Sequence, residues 1–117
     1  ILLAASAPGA LGAQEPVKLD SLTEEDFEVR LQASKSALVA FVAPWCGACQ
    51  SLLPELGRVR QALESLMRDT AVVLCDVSRE TALAARYNAF RTPLLLFFPD
   101  TRVLAPGLQI RFEGQLL

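Results

Sequence analysis

The stretch at residues 43–49, APWCGAC, directly follows the apolar run of residues 37–42, ALVAFV. A continuous apolar run of this length predicts a strand that is buried on both faces. From Cys46 to about Met67 the apolar residues recur at helical spacing, which predicts a helix. The two cysteines of the stretch, Cys46 and Cys49, therefore lie in the first turn of a helix that begins directly after a buried strand.

The position of this cysteine pair indicates redox chemistry. Residues three apart in a helical turn are neighbours, so their Cα separation can meet the roughly 5–6 Å that a disulfide needs. The free N–H groups and the positive dipole end of the helix favour the thiolate of Cys46, which is the nucleophilic form. Cys49, one turn deeper, is the candidate resolving thiol that attacks a mixed disulfide and releases the partner.

Two other uses of a CxxC pair fit this chain less well. A structural disulfide that closes so short a loop would constrain the unfolded chain little. A zinc site needs about four ligands, and the chain offers one further cysteine, Cys75, and no histidine. Cys75 ends the apolar run 72–75 and is expected to be buried and inert. We therefore predict a redox-active dithiol with no metal and no other cofactor.

Outward from this stretch, strands and helices alternate. Thr23 is a candidate N-cap for the second element, with acidic residues in the first turn. The order βαβαβαββ predicts one α/β domain with parallel strands joined by helices on both sheet faces. The predicted elements are strand 17–19, a short helix after Thr23, strand 37–42, helix 46–67, strand 71–75, helix 80–87, strand 94–98 and edge strand 108–112.

Composition excludes several classes of function. The net charge is −2 with both signs interspersed, so no basic patch indicates nucleic acid or an anionic membrane. The absence of histidine removes the commonest general base and metal ligand. No segment reaches the roughly 18 apolar residues that a membrane-spanning helix requires, and an anchor beyond Leu117 stays open.

The first fourteen residues differ in composition from the rest of the chain. Residues 1–14 are apolar and small, with no charge before Glu15, which is typical of the second half of a secretory signal peptide. The alternative is an Ala/Gly-rich terminus with no targeting role. We interpret 1–14 as a signal peptide remnant and 15–117 as the domain.

Residues 41–49, FVAPWCGAC, resemble the active-site segment of the thioredoxin superfamily, particularly of protein disulfide isomerase domains. The resemblance implies a thioredoxin-like α/β fold, with a central mixed β-sheet flanked by helices. It covers residues from about 16 to 117 and continues through Pro54, Asp76, Tyr87, residues 91–93 and Gly114.

The resemblance also implies a substrate groove. Pro93 resembles the family's cis-proline, which packs opposite the dithiol, whereas an ordinary trans proline at a strand start is the alternative. Thr92 before it would offer backbone groups to an extended substrate, and Trp45 would cover the site. The implied substrate-binding residues are Trp45, Gly47, Ala48, Thr92 and Pro93.

The chain departs from the family pattern at several positions. Ala40 occupies the position of a buried acid and Leu74 that of a lysine, which puts proton transfer at Cys49 in doubt. Ala48 replaces the histidine of isomerases, so the Cys46 thiolate is expected to be less stabilised, and Gln115 stands where many isomerase domains have arginine. The C-terminal helix of the family has no counterpart, which implies exposed apolar surface on one sheet face, covered by a neighbouring chain or by residues beyond Leu117.

The function predicted from the sequence is that of a thiol–disulfide oxidoreductase or isomerase of the secretory pathway. Its substrates would be cysteine-containing polypeptides, its compartment the endoplasmic reticulum lumen, and its redox partner glutathione or an oxidase or reductase. A secreted or periplasmic location is the alternative. Two other functions stay open: a thioredoxin-type reductase, and a non-enzymatic domain that binds clients or an assembly partner.

Overall fold

Seven helices and strands occur in the part of the chain that the structure, a computed structural model, describes, residues 19–66 and 68–113. Their bounds are α1 Phe27–Gln32, β1 Ser36–Val42, α2 Gly47–Leu66, β2 Thr70–Asp76, α3 Thr81–Arg86, β3 Leu94–Phe98 and β4 Ile110–Glu113. The predicted signal peptide 1–14, most of strand 17–19, Met67, Gly114 and Gln115 lie outside the described residues.

The four strands form one mixed sheet in the order β2-β1-β3-β4. β1 and β2 are parallel, with Ala40 opposite Leu74. β3 is antiparallel to β1, with Leu94 opposite Phe41, and β4 is antiparallel to β3. The central mixed sheet that the resemblance implies is therefore confirmed. The expectation of parallel strands joined by helices holds for β1-α2-β2 but is wrong for β2-α3-β3, because an apolar run predicts a buried strand and not its direction.

Helices cover both faces of the sheet, as the alternation of elements predicts. On one face, α1 and α3 place Phe27 and Leu83 against Val39 and Phe41 of β1 in one buried cluster. On the other face, a second cluster joins Leu52 and Leu56 of α2 to Ala40 and Leu95. Successive residues of a strand point to opposite faces, so a single apolar strand supplies both clusters.

Some element ends differ from the sequence prediction. The Thr23 hydroxyl accepts the N–H of Asp26, and the Asp26 carboxylate accepts the N–H of Thr23, but the helix itself begins only at Phe27. Ser21 makes an isolated parallel bridge to Leu74 next to the strand predicted at 17–19. The edge strand begins at Ile110 rather than at residue 108, because the alternation of apolar residues extends into the loop before it.

The end of α3 fixes the start of the segment that leads into β3. Asn88 adopts a left-handed conformation (φ 55°), and the N–H of Ala89 donates to the Ala84 carbonyl at 2.8 Å, which is a Schellman C-cap. The guanidinium of Arg111 on β4 donates to the carbonyls of Tyr87 and Asn88 at 2.8 and 2.6 Å. These bonds hold the last turn of α3 against the edge of the sheet.

The edge of the sheet exposes an apolar stripe on the side of α2. Ile110 and Phe112 lie opposite Phe97 and Leu95, and Leu95 contacts the buried leucines of α2. Both β4 side chains are exposed, as is Leu108 just before the strand. Exposed apolar surface is expected from the sequence because the family's C-terminal helix has no counterpart, and this surface is present among the described residues.

Candidate functional site

The dithiol occupies the junction between β1 and α2. β1 ends at Val42, the buried Ala43 packs against both cysteines, and α2 begins at Gly47. Cys46 and Cys49 are joined by a disulfide with a Cα–Cα separation of 5.2 Å. The pairing predicted from the spacing is confirmed, and it lies at the helix start where the sequence placed it.

Cys46 is more exposed than Cys49, as expected if Cys46 is the nucleophile and Cys49 the resolving thiol. Cys46 is 9% exposed and Cys49 is 0% exposed. The backbone N–H of Cys49 donates to Cys46 Sγ at 3.1 Å. In the reduced protein, an N–H directed at this sulfur would stabilise a Cys46 thiolate, because it supplies an unpaired donor of the first helical turn.

The residues predicted to bind substrate lie at the same end of the sheet as the dithiol. The Thr92–Pro93 peptide bond is cis, as expected, and it directly precedes Leu94, which pairs with Phe41 of β1. Trp45 is 74% exposed, Gly47 is exposed, and a Cβ atom added at Gly47 would meet no atom within 4 Å. Ala48, Thr92 and Pro93 are half-buried. An open surface thus surrounds Cys46, and the roles of these residues stay predictions.

One prominent residue at this end of the sheet was not predicted from the sequence. Phe90, two residues before Thr92, is 76% exposed, and its neighbour Arg91 is also exposed. The signal that could have found Phe90 is its place in the short segment between Asn88, at the end of α3, and the predicted cis-proline. Exposure itself could not be predicted, because a phenylalanine in such a segment can equally turn into the core.

The position of the missing acid is apolar on every side that the structure describes. Ala40 is fully buried and lies in one cluster with Leu52, Leu56 and Leu95. Leu74, its register partner on β2, packs against the same cluster. This cluster therefore supplies no carboxylate or amine that could take the Cys49 proton.

Cys75 belongs to the opposite face of the sheet. It is fully buried in the cluster that α1 and α3 cover, which confirms the expectation of a buried cysteine. Burial, with the negative charges of Glu80, Asp76 and Glu24, raises the pKa of the Cys75 thiol from 9.0 to about 12. The thiol therefore stays protonated at neutral pH, and its placement separates it from the dithiol.

Because the pKa of the folded Cys75 thiol is raised, we predict that the protein loses stability as the pH rises above 9. Below pH 9 the Cys75 thiol is protonated in both the folded and the unfolded chain. Above it the unfolded thiol ionises while the folded one does not, so the free energy of unfolding should fall by about 1 kcal/mol between pH 9 and pH 10, and the slope should approach about 1.4 kcal/mol per pH unit at higher pH. Urea unfolding between pH 9 and pH 10, in a C46S/C49S background that prevents disulfide exchange, measures this slope.

In the same background, the Cys75→Ala variant should not show the fall in the free energy of unfolding with pH that the Cys75 thiol causes, whatever its stability at pH 7. Tyr87→Phe is the control. Burial also raises the pKa of the Tyr87 phenol above 10.0, so its contribution begins at higher pH and the slope from Cys75 should remain. Equal slopes with and without Cys75 would refute the raised pKa.

Residues 19–66 and 68–113 contain no group of three or more side chains suited to hold a metal ion. None of the helices in this part of the chain is both long enough and apolar enough to cross a bilayer.

Comparison with protein families gives one match that spans most of the chain. The description of the matching family is Thioredoxin, and the match covers residues 18–111. Protein disulfide-isomerase of Oryctolagus cuniculus is 32% identical over 106 residues, which are 91% of this chain and 21% of that protein. Protein disulfide isomerase-like 2-1 of Oryza sativa subsp. japonica is 40% identical over 91 residues, 74% of this chain and 24% of that protein. The chain thus spans about a fifth to a quarter of these relatives.

Solved structures agree with this match at the level of the fold. The zinc-bound form of human ERp44 superposes with a TM-score of 0.71 at 23% identity, over 84% of this chain and 26% of that chain. The oxidised form of mitochondrial thioredoxin 3 from Saccharomyces cerevisiae superposes with a TM-score of 0.66 at 23% identity, over 82% of this chain and 83% of that chain.

Proposed function

Because this chain belongs to the thioredoxin family, we propose that it catalyses thiol–disulfide exchange on polypeptide cysteines through Cys46 and Cys49. The observation that carries the proposal is a cysteine pair at a helix start, with Cα atoms 5.2 Å apart and only Cys46 reaching the surface. A relative named protein disulfide-isomerase, at 32% identity, and one named protein disulfide isomerase-like 2-1, at 40% identity, support the same activity.

The reaction needs no group beyond the two thiols. The Cys46 thiolate attacks one sulfur of a substrate disulfide, forms a mixed disulfide, and the other substrate sulfur leaves as a thiolate. The Cys49 thiolate then attacks Cys46 Sγ, which forms the Cys46–Cys49 disulfide and releases the second substrate thiolate. Two electrons pass from the domain to the substrate, and the reverse sequence oxidises a substrate dithiol.

In this proposal the open surface around Cys46 is the substrate groove. Trp45 and the Gly47–Ala48 pair form one side of it, and Thr92 and Pro93 the other. The backbone of Thr92 can pair with an extended peptide by strand addition, which brings a substrate cysteine towards Cys46.

The direction of net electron flow depends on how far the site stabilises the thiolate. Ala48 offers no charge to Cys46, so the dithiol should be less oxidising than one with a histidine at that position. We propose an oxidoreductase or isomerase of the secretory pathway, in the endoplasmic reticulum lumen. The apolar residues 1–14, which are typical of a secretory signal peptide, support export into that pathway. Ala48 favours the second candidate, a thioredoxin-type reductase.

A non-enzymatic binding domain is the third candidate. The apolar surroundings of Ala40 and the exposed stripe at Ile110 and Phe112 favour it. The presence of both cysteines, with Cys46 accessible, argues against a non-enzymatic binding domain.

Redox titration in glutathione buffers tests the proposed function. We expect one reversible two-electron transition of the Cys46–Cys49 pair, at a potential more reducing than the roughly −180 mV of protein disulfide isomerase. Alkylation of thiols followed by mass spectrometry measures the reduced fraction, and Cys75→Ala should leave the curve unchanged. A pair that stays oxidised down to about −300 mV would be a structural disulfide, and the proposal would fail.

A further inference from the structure

We propose that Phe90 and Arg91 select the substrate of this domain, and that they favour polypeptides with an apolar or aromatic side chain and an acidic side chain beside the reacting cysteine. The inference rests on the proposed function, since it concerns what enters the groove next to Cys46. It starts from the exposure of Phe90, which is 76% exposed although its side chain is large and apolar.

The exposure of Phe90 follows from how its backbone is anchored on both sides. Before it, Ala89 is buried and its N–H is bonded to the Ala84 carbonyl. After it, Leu94 is fully buried and pairs with both Phe41 and Glu113. Residues 90–92 therefore form a short loop between two fixed points, and the Phe90 side chain is held outside the core.

The Arg111 guanidinium reinforces the first of these anchors. It donates to the Tyr87 and Asn88 carbonyls and is also paired with Glu113, so it ties the end of α3 to the edge strand. An aromatic side chain on a loop fixed in this way loses little conformational entropy when a partner binds it. Preorganised aromatic and arginine side chains of this kind carry most of the energy of protein interfaces.

The 90–92 loop lies at the dithiol end of the sheet. It leads through Pro93 into Leu94, which pairs with Phe41 near the end of β1, and Cys46 follows shortly after that strand end. Trp45, directly before Cys46, is 74% exposed at the same end. A peptide that pairs with the Thr92 backbone and continues along this loop would pass Arg91 and Phe90, with Trp45 exposed at the same end of the sheet.

The positive charge of Arg91 is the basis of the proposed preference for an acidic side chain in the substrate. Arg91 is exposed, and no other described residue makes an ion pair or hydrogen bond with its guanidinium. The acids near this end are already engaged: Glu113 pairs with Arg111, and Glu80 accepts the N–H of Glu24. An unpaired cation beside the groove attracts a carboxylate on the substrate and repels a lysine.

Four peptide disulfides test this selection. They differ only at the two positions beside the cysteine, which carry Phe or Ser in combination with Glu or Lys. For wild-type protein we expect kcat/KM to be highest for the Phe/Glu peptide and lowest for the Ser/Lys peptide, by about thirtyfold. Glutathione disulfide, which is too small to reach both positions, serves as the reference substrate.

Two variants assign the preference to their residues. Phe90→Ala should lower kcat/KM about tenfold for the Phe peptides and leave the Ser peptides and glutathione disulfide unchanged. Arg91→Glu should reverse the preference between Glu and Lys, and this effect should weaken in high salt. Val29→Ala on α1 and Arg68→Glu before β2 are the matched controls, since both residues are exposed and lie outside the dithiol end of the sheet.

A failure of the selection by Phe90 and Arg91 and a failure of the proposed exchange activity give different results. Equal wild-type rates on all four peptides, or a Phe90→Ala variant that slows every substrate alike, would overturn the selection by Phe90 and Arg91 and leave the exchange activity standing. Wild-type protein that reacts with no peptide and not with glutathione disulfide would overturn the proposed function and this inference with it.

Discussion

Cys46→Ser is expected to lower the rate of insulin disulfide reduction by about a thousandfold or more. A serine hydroxyl stays protonated at neutral pH and cannot form the mixed disulfide, so the first chemical step is lost rather than slowed. Cys49→Ser should also slow turnover strongly, but after the first step, because Cys46 can still attack while only the added dithiothreitol can resolve the mixed disulfide. Turbidity of insulin in the presence of dithiothreitol measures both effects.

Cys75→Ala is the control for loss of a cysteine as such. Cys75 is buried on the other face of the sheet and its thiol stays protonated, so this variant should retain the activity of the wild-type protein in proportion to its folded fraction. Substantial activity in Cys46→Ser would show that another group attacks the substrate, and the assignment of the nucleophile would be wrong.

Ala40→Glu is expected to accelerate the resolving step about tenfold or more near neutral pH. Cys49 is fully buried and must lose a proton before it can attack, while Ala40, Leu74 and the leucines around them supply no base. In the wild-type protein the step should therefore be slow and should accelerate towards alkaline pH. A carboxylate introduced at position 40 should take the proton and flatten this pH profile.

Stopped-flow decay of a preformed Cys46 mixed disulfide measures the resolving step alone. Ala40→Gln is the matched control, since it adds a side chain of similar size with no charge and should leave the rate low. Both substitutions should cost stability, roughly 1–3 kcal/mol, because each buries a polar group in an apolar cluster. An unchanged rate and pH profile in Ala40→Glu would mean that another group or an ordered water already acts as the base.

Local patterns predicted the parts of the molecule that depend on burial. The run 94–98 is a strand with the expected bounds, Leu83 of α3 points into the core, and the CxxC pair lies at a helix start. These features follow from hydrophobic periodicity and from the separation of residues in a helical turn, which are properties of the sequence itself. The cis form of Pro93 was expected from family resemblance and not from any local pattern.

Other features depend on contacts between distant segments. The antiparallel direction of β3 is set by where the chain re-enters the sheet after α3, and no residue within the strand specifies it. The exposure of Phe90 depends on the bonds from Arg111 to the end of α3 and on the pairing of Leu94 with Phe41, which join segments that are distant in the sequence. The start of β4 at Ile110 likewise depends on the partner strand.

Covalent capture of a peptide by single-cysteine variants of the dithiol tests most directly whether Cys46 is the nucleophile. Reduced Cys49→Ser protein is mixed with a peptide disulfide, quenched with acid, and digested, and mass spectrometry locates the attached peptide. We expect a stable adduct on Cys46, and no adduct when the same experiment uses Cys46→Ser. An adduct on Cys75, an adduct on Cys49 in Cys46→Ser at a comparable rate, or no adduct on Cys46 would contradict this assignment.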